Sequence, residues 1–80
     1  MRLRKKGAFA IMNYTRVELG KYIKQQRKYF KLSQDQVAER ARVSRQCIGR
    51  IEKGERVYPY ILNSVLNVLC INPKSVIVIE

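Results

Sequence analysis

Cap residues cut this chain into short pieces. Thr15, followed three residues later by Glu18, reads as a capping box. Ser33 and Ser44 read as two further helix N-caps. Gly54 supplies a left-handed stop and Pro59 a first helical position. Between these marks the apolar residues recur with the period of a helix face rather than alternating as on a strand. That punctuation leaves room only for short helices on tight connections, each with a narrow apolar side that must find its neighbours.

The first helix starts near residue 16, with Leu19, Ile23, Gln26 and Phe30 at steps of i, i+4, i+7 and i+11 and Lys21, Lys24 and Lys28 on its outer side. The second follows Ser33, carries Asp35 in its first turn where a carboxylate complements the positive helix end, and turns Val37, Ala38 and Ala41 inward. Arg42 and Val43 interrupt it. The third runs from Ser44 to about Lys53 with only Ile48 and Ile51 facing in, and Ile61, Leu62, Val65, Leu66 and Leu69 stripe a fourth that Asn72 and Pro73 end.

Val76, Ile77, Val78 and Ile79 are different in kind: four β-branched residues in a row, which read as a strand covered on both faces. A bare edge of this composition would invite aggregation. Its partner is either Ala8 to Met12 of the same chain or the same strand of a second copy. We expect the second, a dimer contact made by all four residues. The fold class is all-α, four to five helices with a short C-terminal β-strand. The expected divisions are a basic and apolar arm over 1–14, a helical domain over 15–72 and the strand over 73–80.

The chain has 80 residues, enough for one small domain of modest stability. Its 17 Lys and Arg against 6 Asp and Glu leave a formal charge of +11, which draws it to polyanions, nucleic acid first. Two cysteines make no disulfide framework and no zinc pattern, so no metal or cofactor is expected, and the expected compartment is the cytosol with both thiols reduced. Histidine is absent, which removes the usual acid or base near neutral pH. Without phosphate loops or paired carboxylates either, an enzyme is the least favoured class. No apolar run is long enough to span a bilayer. The basic run Arg2 to Lys6 reads as a loose arm.

The string "LSQDQVAERARVSRQCIGRIEKGE", Leu32 to Glu55, resembles the helix-turn-helix domain of the phage repressor and Cro type. The matching features come in order: Gln34 opening a helix, Val37 and Ala38 inward, Val43 and Ser44 in the turn, Ile48 inward, then Ile51, Glu52, Lys53 and Gly54. The resemblance implies a repressor-like bundle whose helix from residue 44 to 53 enters the major groove of double-stranded DNA. It assigns base contacts to Ser44, Arg45, Gln46 and Arg50, and phosphate contacts to Ser33, Gln34, Lys53 and Arg56. It also implies an ion pair between Arg27 and Glu52, and a homodimer reading an inverted repeat.

The C-terminal strand is similar to that of the antitoxin subgroup, which brings a toxin or another protein partner into view. A pure protein-interaction module is the first rival reading, though it has no need of +11; an RNA binder, wanting exposed aromatics, is the second. Four positions depart from the family pattern: Arg42, Cys47 where threonine is common, Gly49 where serine is common, and Cys70 where glycine is common. Arg42 stands where glycine is common in the turn, and Gly49 weakens its helix by roughly 1 kcal/mol relative to alanine. Tyr58, Tyr60, Cys47 and Cys70 read as packing residues.

Overall fold

A computed structural model describes residues 11–79. Strand β1 (Met12–Thr15) leads into α1 (Arg16–Tyr29), followed by α2 (Gln34–Ala41), α3 (Arg45–Glu52) and α4 (Pro59–Val68). A short 3-10 turn (Pro73–Ser75) then delivers β2 (Val76–Ile79). The N-terminal caps work as their sequences require. The Thr15 amide donates to Glu18 Oε1 at 2.9 Å while the Glu18 amide donates to Thr15 Oγ1 at 3.1 Å. Ser33 and Gln36 form a second reciprocal box, at 2.8 and 3.0 Å. Ser44 caps α3 by accepting from the Cys47 amide.

The helices close on a core of Leu19, Ile23, Val37, Ala38, Ala41, Ile48, Ile51, Val65, Leu66, Leu69 and Ile71. One expected member is missing. Phe30 is 39% exposed, because α1 ends at Tyr29 and the chain turns away through Lys31, at φ 58°. The buried site one turn back is filled instead by Arg27. Gly20 sets the spacing between α1 and α3: its backbone lies so near the Ile51 carbonyl oxygen that a Cβ there would clash, and it would sit 2.9 Å from the Glu52 carbonyl oxygen.

The C-terminal strand pairs inside the chain. β2 lies parallel to β1, with Met12 opposite Val76, Asn13 opposite Ile77, Tyr14 opposite Val78 and Thr15 opposite Ile79. The whole helical body is therefore the crossover that a parallel pair needs. This corrects two expectations. The strand's partner is 12–15 of the same chain rather than a second copy's strand, and Val76 and Val78 pack against the core instead of joining Ile77 and Ile79 in a dimer contact. Ala8 to Met12 shares only Met12 with that partner, and Ala8 to Ala10, like the run Arg2 to Lys6, lie outside the described residues. Residues 12–14 also belong to the folded body rather than to an arm. Tyr14, Val76 and Val78 pack against the core, and Tyr14 stacks on Tyr22 with ring centres 5.6 Å apart. Ile77 and Ile79 face outward, 46% and 45% exposed.

Candidate nucleic-acid interface

Two short helices and the turn between them build the site. Arg42 ends α2 in a left-handed conformation, φ 59° and ψ 43°. The turn thus keeps the shape that glycine would give it, at the steric cost of a Cβ, about 1 kcal/mol. Ser44 is extended and starts α3 immediately, so the second helix leaves at once across the first. Ile48 and Ile51 bury one side of α3, and Cys47 is half-buried beside them. Ser44, Arg45, Gln46, Arg50 and Lys53 are all exposed, on the side turned away from the core.

The base of this surface is tied down by Glu52. Arg27 donates through Nε to Glu52 Oε2 at 2.6 Å and through Nη2 to Oε1 at 3.0 Å, and its Nη1 donates to the Leu32 carbonyl at 2.9 Å. The fork is nearly enclosed, with the side chains 11% and 5% exposed. Hydrogen bonding to the Glu52 carboxylate raises the Arg27 guanidinium above its ordinary value, against the opposing effect of burial, so the guanidinium stays charged. Gln34 joins it: its Nε2 donates to Glu52 Oε1 at 3.1 Å. One carboxylate thereby links α1, the start of α2 and the end of α3.

Above that base, Gln34, Arg45, Gln46, Arg50 and Lys53 line an open concavity, which Lys24 of α1 also borders. Arg50 reaches a second groove along with Arg56, so cationic side chains border both, and the Glu52 and Glu55 carboxylates also line the first. Ser33 lies at the same end of α2 as Gln34, its hydroxyl accepting from the Gln36 amide. Val76, Ile77, Val78 and Ile79 lie outside this surface, in the sheet.

Several features here were not anticipated from sequence. Arg45 is paired: its Nε lies 3.3 Å from Asp35 Oδ1. Tyr58 and Tyr60, expected as packing residues, are 70% and 68% exposed and stack on each other, ring centres 6.0 Å apart. Tyr58 lines the groove that holds Arg50 and Arg56. Cys70 is also exposed rather than packed, because it occupies the left-handed position after α4, at φ 60°. Among the described residues no three His, Cys, Asp or Glu side chains gather as a metal site would require. No described helix is long and apolar enough to cross a membrane.

Comparison with known proteins adds two findings. Residues 18–70 match a family model described as a helix-turn-helix domain. Among solved structures, the chain is similar to the restriction-modification controller protein C.AhdI from Aeromonas hydrophila, at 26% identity and a TM-score of 0.68, over 75% of this chain and 92% of that one. Among curated proteins nothing matches.

Proposed function

This chain belongs to the helix-turn-helix domain family, and from that premise we propose that it is a transcriptional regulator, a repressor, that binds double-stranded DNA sequence-specifically as a homodimer. One observation carries the reading. The buried side chains of helix α3 are Ile48 and Ile51, on one side, while Arg45, Gln46 and Arg50 stand exposed along the other. A helix with its side chains is about 10–12 Å across, close to the roughly 12 Å of the B-DNA major groove. Its withdrawal from the core is what lets it enter.

In this role Arg45 and Arg50 bridge guanine O6 and N7, and Gln46 pairs with adenine N6 and N7, each bidentate contact discriminating by about 1–3 kcal/mol. Ser44 contributes at the helix start. Ser33, Gln34, Lys53 and Arg56 hold the phosphates on either side and so fix register without reading sequence. Gln34 does this from a pinned position, since the same amide is held by Glu52. The net charge of +11 supports the reading by supplying the non-specific attraction that brings any duplex near. The role is one of binding rather than catalysis, carried out in the cytoplasm.

We place the two-fold contact on the outward side of the sheet, where Ile77 and Ile79 are exposed; a toxin or other protein partner would use the same face. Two copies then set their α3 helices about 34–36 Å apart and read an inverted repeat. The test is selection from a random duplex library at about physiological salt, run beside the Arg45→Ala/Arg50→Ala double variant. The expected result is an inverted repeat enriched by the parent alone. If neither protein enriches a sequence, the chain is an interaction module that keeps the fold.

A further inference from the structure

We infer that Asp35 is a positioning residue for base reading: it holds the Arg45 guanidinium by one edge so that the other edge meets the groove. The inference rests on the DNA-reading role proposed above. Asp35 is one of only 6 carboxylate side chains in a chain with 17 cations, and it stands on the very face that would meet phosphates. There it repels every duplex alike, whatever its sequence. Its place in the first turn of α2 is accounted for by the helix end. Its closeness to Arg45 is not.

The atoms involved suggest what the pair does. Asp35 Oδ1 takes the Nε side of Arg45, at 3.3 Å. That leaves Nη1 and Nη2, the planar outer fork that fits guanine O6 and N7. With its Nε side on Asp35 in the docked complex, the guanidinium has less freedom to swing to a phosphate, a contact that carries no sequence information. In the unbound chain the side chains are 66% and 77% exposed, so water screens the attraction and the pair contributes little to folding. In a docked groove water is displaced and the same pair strengthens. Asp35 therefore weakens binding to all duplexes and sharpens the choice among them.

The test is a double-variant cycle on the duplex selected by the parent and on a panel with each base pair of one half-site replaced. Asp35→Asn should bind an unrelated duplex a few times more tightly and lose about tenfold of its discrimination at one base pair per half-site. That base pair should be the one at which Arg45→Ala also loses discrimination, and adding Asp35→Asn to Arg45→Ala should change it no further. Asp35→Glu, which keeps a carboxylate and the helix-end charge, should restore most of the selectivity.

A selective parent whose Asp35→Asn variant discriminates as well as before overturns the inference and leaves the DNA-reading role standing. So does an equal loss from Asp35→Asn in the Arg45→Ala background, which would make the carboxylate a direct partner of a cytosine amino group. A parent with no sequence preference overturns both together.

Discussion

Glu52 is the residue through which the interface is fastened to the core. Its carboxylate accepts from Arg27 twice and from Gln34 once. Glu52→Gln keeps the shape but leaves a buried guanidinium without its counter-charge, a loss of about 3–5 kcal/mol when one partner of a buried pair is removed. In a domain of this size each 1 kcal/mol moves the melting temperature by roughly 4–8 °C. A fall of more than about 10 °C is the expected outcome of thermal denaturation, and an unchanged melting temperature would remove the pair from the account of stability. Because Glu52 raises the Arg27 value, that side of the pair loses its contribution only as pH climbs through strongly alkaline values. Across neutral pH it is constant.

The pairing of Arg27 with Glu52 was legible only through the family resemblance, since 25 residues separate the partners. Asp35 with Arg45 was not legible at all. As a first-turn carboxylate Asp35 already had a sufficient local explanation, and nothing in the residue order shows the turn bringing it against the start of α3. The exposed Tyr58 and Tyr60 were misread for a similar reason: residue type sets the tendency to pack, but here the two rings stack on each other and leave most of their surface in solvent.

At the scale of elements, two helical glycines among the described residues have opposite roles. Gly20 is where α1 touches the backbone of α3, and any side chain must push the helices apart. Gly20→Ala is expected to destabilise by about 1–3 kcal/mol, the usual range for overpacking a tight contact. Gly49 sits on the open side of α3, and a Cβ there would meet nothing within 4 Å. Gly49→Ala should stabilise by up to about 1 kcal/mol through helix propensity alone. Urea denaturation of the two variants checks both signs; a shift in the same direction would mean that the helix-to-helix distance is not set by Gly20.

The helices were readable because their caps are local: Thr15 with Glu18, Ser33 and Ser44 each satisfy amides within three residues. Strand β1 was not readable. Its last residue, Thr15, is also the cap of α1, so the capping pattern accounted for the only strong signal in a four-residue segment. Its pairing depends on β2, more than 60 positions away, and no local pattern carries that information.

For the whole molecule, the open question that the sheet poses is association. Deleting β2 cannot answer it cleanly, because Val76 and Val78 pack against the core and their loss would weaken the fold as well as any interface. Ile77 and Ile79 are the discriminating positions, since both lie on the outward side. Ile77→Lys with Ile79→Lys should leave a folded protein that melts near the parent and sediments as a monomer, while the parent sediments as a dimer. A variant that still sediments as a dimer would move the interface elsewhere. Salt offers an independent check in the same cell. Two copies at +11 repel each other, so raising salt screens that repulsion and should favour the apolar contact. Binding to duplex must respond in the opposite sense, because it releases counterions from the phosphates. If self-association also weakened as salt rose, charge pairs rather than Ile77 and Ile79 would have to hold the two copies together.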